Sequence, residues 1–256
     1  MWSDVFTPLR LIFRGTGFSL LFLLGTLPTV LCLNRAGRAV RIGERGLDEF
    51  MLNAWAATMC RVFGVRVKPE GGVQAPPVLV VANHISWLDI MILYSIAQTG
   101  FVSKAEVARW PVIGFLAGLA GTVFHQRGSH DSAGAVAAAM TRRLNEGGRV
   151  AIFPEGGIRP GPGVKVFHAR LFRAAVDAGC PVQPVMIRYV RDGTLDEGMT
   201  FKEDESFMVN FLRLLGRPAC DCQLQFLEPI PAAGKPRRDL AAAAHDAVSA
   251  AFDAGV

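Results

Sequence analysis

Charge is scarce in this chain: 19% of its 256 residues are Asp, Glu, Lys or Arg, whereas 51% are hydrophobic and the mean hydropathy is +0.31. The length fits one α/β domain, or one domain with a small N-terminal element. The charges sum to +5, and no Lys/Arg-rich run is interleaved with aromatics, which argues against nucleic acid as a partner. Basic and apolar together favour an anionic bilayer surface or a phosphorylated ligand.

Cysteine patterns of known function are also missing. The five cysteines are an odd number without metal-binding spacing, and Cys220 and Cys222 stand too close for a zinc pair. We therefore expect no disulfide framework, a reducing compartment and no metal site.

The longest stretch without charge is Gly15–Asn34, which is rich in Leu and Phe and just long enough to cross a bilayer. Arginines on both sides leave its orientation open. It is predicted to span or dip into the membrane, to lie in the interface, or to be buried on the domain. Apolar residues at helical spacing in Leu47–Phe63 predict a second helix, which would form a hairpin with the first. We expect residues 1–63 to be hydrophobic anchoring helices and residues 64–256 to form the main domain.

Beyond residue 63, short apolar runs alternate with helical patterns. The clearest strands are Val78–Ala82, Val150–Phe153 and Val182–Tyr189, and they contain almost no polar residues. Such strands predict an α/β fold with a largely parallel central sheet covered by helices on both faces. Cys220–Leu227 instead alternates apolar and polar residues, which predicts an edge strand. A helix is expected over Pro111–Leu119.

A histidine and an aspartate stand five residues apart, at His84 and Asp89, directly after the strand Val78–Ala82. In one continuous helix they would point in different directions. They converge if His84 lies in the loop and Asp89 in the first helical turn, with Ser86 as N-cap. An Asp beside the imidazole would fix its tautomer and make it a base; alternatively, Asp89 only caps a helix.

Four blocks in the chain share the order and spacing of a known family. They are Asn83-His84-x4-Asp89, Phe124-His125-Gln126-Arg127, Phe153-Pro154-Glu155-Gly156 and Val182-Gln183-Pro184-Val185. Over roughly residues 65–230 the sequence resembles the glycerophospholipid acyltransferases. The resemblance implies that His84 is a general base on a lysolipid hydroxyl and that Asp89 orients it. The acyl donor would be acyl-CoA or acyl carrier protein, with no covalent enzyme intermediate and no cofactor; the chain has no G-x-S-x-G motif.

The resemblance also implies residues that bind substrate. Arg127 is expected to contact a phosphate, and Glu155, Gly156 and Gly157 to shape the loop beside the head group. Lys104, at the end of the expected strand Phe101–Ser103, is a second candidate for the phosphate. Many relatives read Pro-Glu-Gly-Thr-Arg, whereas here Gly157 and Ile158 replace the last two residues and Arg159 follows one place later. Arg159 is expected to restore the charge through a shifted loop and to bind substrate. The expected acceptor is 1-acyl-glycerol-3-phosphate, and the departure makes lyso-ornithine lipid or another lysophospholipid the alternative.

Two other classes of protein stay open on the sequence. One is a non-catalytic lipid-binding membrane protein of the same fold, and the other is a hydrolase that uses water in place of the lipid hydroxyl. Because lysolipid and product both reside in a bilayer, we expect the protein at the cytoplasmic face of the inner membrane, in contact with membrane lipids.

Overall fold

A computed structural model describes residues 5–43, 45–104, 122–125, 130–159, 161 and 163–255. Its helices are α1 (Thr7–Leu20), α2 (Thr26–Cys32), α3 (Arg35–Ala39), α4 (Leu47–Val62), α5 (Leu88–Ile96), α6 (His130–Asn145), α7 (Arg173–Ala178), α8 (Phe207–Gly216) and α9 (Arg237–Asp253). Its strands are β1 (Arg41–Ile42), β2 (Arg45–Gly46), β3 (Val65–Glu70), β4 (Val78–Ala82), β5 (Gly100–Lys104), β6 (Val123–His125), β7 (Arg149–Ile152), β8 (Val182–Arg191), β9 (Thr194–Leu195) and β10 (Cys220–Phe226). The helix predicted over Pro111–Leu119 lies outside the described residues.

The central sheet has the strand order β3-β10-β8-β4-β7-β5-β6. Its neighbouring strands pair in parallel, except that β10 runs antiparallel to β8, and the short strand β9 extends β8 as an antiparallel hairpin. The prediction of an α/β fold with a largely parallel sheet is confirmed.

Strand β4 lies at the centre of the sheet, and all five of its residues are buried. Val78, Val80 and Ala82 face one hydrophobic cluster, to which α4, α5 and α8 contribute. The alternate residues Leu79 and Val81 face a second cluster, formed with α6, α7 and α9. Both faces of the strand are therefore covered, which explains why its sequence is apolar without a period of two.

The N-terminal helices form one apolar rod over residues 7–32, in which a π-helical turn at Leu21–Gly25 joins α1 to α2. The rod packs along α4 and α8. Arg14 fastens it, since its guanidinium donates to the carbonyl oxygens of Arg217 at 2.7 Å and Leu215 at 3.1 Å. The predicted packing of the first helix against the second is confirmed, and the boundary at residue 63 stays a prediction.

The prediction that Cys220–Leu227 forms an edge strand is wrong. Strand β10 lies between β3 and β8, and β3 is the edge. The apolar residues of β10 are buried in the core, while Asp221, Gln223 and Gln225 are half-buried on the other face. Asp221 pairs there with Lys68 of β3, and Gln223 accepts from Arg188 of β8. The alternation therefore shows that one face of the sheet is polar at this strand, and a strand in the middle of a sheet can have such a face as well as an edge strand.

Asn83 continues the sheet past the last residue of β4. Its side-chain amide donates to the carbonyl oxygen of Ile187 and its Oδ1 accepts the Ile187 N–H, both at 2.8 Å. Ala82 pairs with Val185 in the ladder, so this side chain takes the next place along β8. The segment after β4 is thereby held at the carboxyl end of the sheet, where α/β folds place their ligands.

We expect Asn83→Ala to lower the free energy of unfolding by at least about 2 kcal/mol, because it leaves two buried backbone groups without partners. Denaturant unfolding of both proteins measures the difference. Asn145→Ala, at the exposed last residue of α6, is the control and should change stability by less than about 0.5 kcal/mol. A loss at Asn83 no larger than the control would contradict this role.

Candidate active site

His84 and Asp89 form a hydrogen-bonded pair at the carboxyl end of β4. The helix α5 begins at Leu88, so Asp89 lies in its first turn while His84 lies in the preceding loop. The His84 Nδ1 and the Asp89 Oδ2 are 2.8 Å apart. The convergence predicted from the sequence is confirmed, although Trp87 occupies the N-cap position instead of Ser86.

The Asp89 carboxylate is fully buried and accepts four hydrogen bonds. Its Oδ2 accepts the backbone N–H groups of Ile85 at 2.7 Å and Ser86 at 2.9 Å, in addition to the imidazole. Its Oδ1 accepts the hydroxyl of Tyr189, at the far end of β8, at 2.7 Å. These donors compensate for taking a carboxylate out of water, and they hold the 84–89 turn in one conformation.

The His84 ring is fixed by stacking as well as by its hydrogen bond. The Phe153 ring lies parallel to the imidazole, with an interplanar angle of 10° and centroids 3.9 Å apart. Because Asp89 is an acceptor, the Nδ1 carries the proton and the Nε2 keeps its lone pair. The side chain is 12% exposed and lines a cleft, so a proton acceptor is presented to a ligand there.

Glu155 connects the loop after β7 to the turn that carries His84. Its carboxylate accepts the backbone N–H of Lys165 at 3.1 Å and also that of His84. The side chain is buried, and burial raises its pKa from 4.5 to about 7, more than the hydrogen bonds lower it. The two motifs are thus joined by a buried carboxyl group whose pKa is raised toward neutral pH.

The two glycines after Glu155 have backbone conformations that a side chain would disfavour. Gly156 has a φ of 80° and Gly157 a φ of 154°. The constraint is the backbone conformation and not the space, since a Cβ on Gly156 would meet the His168 ring at an ordinary contact distance of 3.5 Å. Glycine at these positions lets the chain turn sharply beside the cleft.

A cleft of about 330 Å³ opens beside His84 and Glu155. Arg159, predicted as a binding residue, lines it, and so do Lys165 and Lys202. Of the other predicted residues, Lys104 is the last residue of β5 and so lies at the same carboxyl end of the sheet. Arg127 lies outside the described residues. Within the part of the chain that is described, no three His, Cys, Asp or Glu side chains form a group suited to a metal ion.

Tyr189, Lys165 and Lys202 were not predicted from the sequence. Tyr189 could have been proposed as a site residue, since it is one of two tyrosines in the chain and lies near the carboxyl end of a buried strand. The two lysines come from segments far apart in sequence that only the fold brings to the cleft.

The chain is similar in sequence and in fold to several known proteins. The protein-family model described as Acyltransferase matches residues 64–188. Lyso-ornithine lipid O-acyltransferase of Pseudomonas aeruginosa is 41% identical over 206 residues, which cover 80% of each chain. The 1-acyl-sn-glycerol-3-phosphate acyltransferase of Neisseria gonorrhoeae is 41% identical over 124 residues, about half of each chain. The crystal structure of PlsC, the 1-acyl-sn-glycerophosphate acyltransferase of Thermotoga maritima, shares the fold with a TM-score of 0.70 at 20% identity, covering 98% of this chain and 95% of that one.

We expect Glu155→Gln to become increasingly stable relative to the unsubstituted protein as the pH rises from 5 to 8. Between pH 4.5 and about 7 the carboxyl is ionised in the unfolded chain but still largely protonated in the folded one. The free energy of unfolding of the unsubstituted protein therefore falls as the pH rises through this range. The difference in free energy of unfolding should grow by about 2 kcal/mol, measured by denaturant unfolding at both pH values.

Glu205→Gln is the matched control. Arg213 donates to Glu205 and lowers the pKa of that carboxyl to about 2, so the stability it contributes is lost only in acid and stays constant between pH 5 and 8. A pH-independent difference at Glu155 as well would show that its carboxyl is not perturbed.

Proposed function

The chain belongs to the acyltransferase family, and from that premise we propose that it transfers a fatty acyl group from a thioester to the free hydroxyl of a lysolipid. The observation that carries the proposal is the pair His84–Asp89, fixed at the cleft with the imidazole Nε2 available as a base. The donor is acyl-CoA or acyl carrier protein.

The geometry supports a direct transfer. In the proposed reaction the His84 Nε2 takes the proton of the lysolipid hydroxyl as its oxygen attacks the thioester carbonyl carbon. The tetrahedral intermediate then collapses and the C–S bond breaks. The leaving thiolate takes the proton from the His84 imidazolium, which returns His84 to its neutral form. Asp89 stabilises the imidazolium between the two steps, and Tyr189 and the two backbone amides keep the carboxylate in place.

We propose lyso-ornithine lipid as the acceptor. The relative with that name matches over 80% of both chains, whereas the similarity to the Neisseria enzyme spans about half of each. The chain also lacks the Thr-Arg pair after Glu155-Gly156, having Gly157 and Ile158 there. The second candidate, 1-acyl-glycerol-3-phosphate, is favoured by the Neisseria and Thermotoga relatives and by the cationic residues of the cleft.

We propose that the protein lies on the cytoplasmic face of the inner membrane and dips into one leaflet. The most apolar 18-residue stretch of the rod, which spans residues 7–32, has a mean hydropathy of 1.6, and only 11% of that stretch is buried. Leu23, Leu24 and Leu27 are each more than 60% exposed, while Arg14 ties the opposite side of the rod to the domain. Because the rod packs along α4 and α8, insertion of its outer face into a leaflet agrees better with the fold than a full span.

We expect His84→Ala to lower acyl transfer by about a hundredfold to ten-thousandfold, because it removes the base. Transfer from labelled acyl-CoA and acyl carrier protein to a panel of lysolipids measures the rate. His245 is a matched control, since it also faces an aspartate, Asp246, at 3.3 Å but lies on the surface of α9. His245→Ala should retain full activity.

The same panel separates the rival classes. Transfer that survives in His84→Ala would remove the proposed base, and no transfer from either donor to any acceptor would favour a lipid-binding protein. Release of free fatty acid without esterified product would identify a hydrolase.

We expect high salt to release the protein only partly from anionic vesicles, because burial of apolar side chains is not screened by ions. Leu24→Asp should weaken binding at least tenfold in a vesicle sedimentation assay. Val176→Asp, a similar change at a partly exposed residue of α7, is the control. Complete release by salt alone would contradict insertion of the rod.

A further inference from the structure

The cleft beside His84 is lined by charges of both signs. Its cationic residues Arg159, Lys165 and Lys202 are called the cationic wall, and Asp196, Glu197 and Glu203 are called the acidic wall; Lys202 and Glu203 are neighbours in sequence, and Glu155 is a further acidic residue of the lining. A site built for a phosphate monoester gains from the first set and is opposed by the second, since carboxylates beside a dianion repel it. A head group that carries both a carboxylate and an ammonium complements both walls.

Asp196 gives an independent indication of a hydrogen-bond donor. Its side chain is 1% exposed, and its Oδ1 is occupied by Arg217, by the Gly198 N–H at 3.2 Å and by Arg191 at 3.4 Å. Its Oδ2 is buried and has no hydrogen-bond partner among the described residues. An unpaired buried acceptor in a cleft wall is costly, and a donor on the ligand would remove that cost.

The acidic wall is held rigidly by residues outside the cleft. Arg213 donates to the carbonyl oxygen of Thr200 at 2.7 Å and to that of Gly198, while its guanidinium pairs with Glu205. Asn210 donates to the same Glu205 at 2.8 Å. The segment between β9 and α8 is therefore positioned before a ligand arrives, which favours specific recognition.

We propose that Glu197 and Glu203, together with the Asp196 Oδ2 that is unpaired among the described residues, determine acceptor specificity by binding the side-chain ammonium of an amino-acid head group, while the cationic wall binds its carboxylate. The inference rests on the proposed function and deepens it. Ornithine joined to a lipid through its α-amine offers these two charges, and a glycerol phosphate head group has no ammonium.

The test compares three acceptors in the same mixed micelles: lyso-ornithine lipid, its norvaline analogue without the ammonium, and 1-acyl-glycerol-3-phosphate. For the double variant Glu197→Gln with Glu203→Gln, kcat/KM for lyso-ornithine lipid should fall about tenfold to a hundredfold. Activity with the other two acceptors should be unchanged or higher. Glu70→Gln with Glu146→Gln removes the same charge from exposed positions elsewhere and should leave the preference intact.

Three outcomes overturn the inference. Equal losses with all three acceptors would indicate a structural role for the acidic wall, and an unchanged preference for ornithine over norvaline would show that the ammonium is bound elsewhere. If the unsubstituted protein transfers acyl groups to 1-acyl-glycerol-3-phosphate but not to lyso-ornithine lipid, the proposed acceptor fails and the inference fails with it. Loss of the ornithine preference in the double variant alone supports the proposal.

Discussion

The buried carboxylate of Asp89 is the constraint on which the site depends. It accepts from an imidazole, two backbone amides and a phenol, so one group fixes the turn after β4, the ring of His84 and the contact with β8. A buried charge with four donors tolerates little displacement, because losing any one donor leaves it undercompensated. The same arrangement that keeps the turn folded therefore keeps the proposed base aimed at the cleft.

Much of this arrangement depends on the register of strand β8 against β4. Val185 pairs with Ala82 in the ladder, Ile187 bonds the Asn83 side chain, and Tyr189 reaches Asp89. Side chains two residues apart on a strand point to the same face of the sheet. Val185, Ile187 and Tyr189 are such alternate residues, and in that order they contact Ala82, Asn83 and Asp89 of the segment that leaves β4. A one-residue shift of β8 would turn Tyr189 to the other face of the sheet and remove its bond.

The sequence was sufficient where the signal is local. The apolar strands predicted a covered parallel sheet, and the spacing of His84 and Asp89 allowed them to meet across a strand-to-helix turn. It was insufficient where partners are distant along the chain: Tyr189 lies 100 residues from Asp89, and no periodicity relates them. The edge-strand prediction for β10 is wrong because a polar face and an edge position both produce alternating apolar and polar residues. Only the pairing of β3 with β10 in the fold distinguishes the two.

The chemistry and the specificity of the proposed reaction depend on different kinds of contact. His84, Asp89 and Tyr189 are joined by hydrogen bonds at the carboxyl end of the sheet, where Asp89 and Tyr189 are buried, so substitutions there affect folding and reaction together. Glu197, Glu203 and Lys202 are exposed residues on a segment between β9 and α8, anchored from behind by Arg213. Charges on such a segment can change without disturbing the base. One fold can therefore keep a single acyl-transfer geometry while its relatives act on lipids with different head groups, if the residues that distinguish head groups lie on such exposed segments.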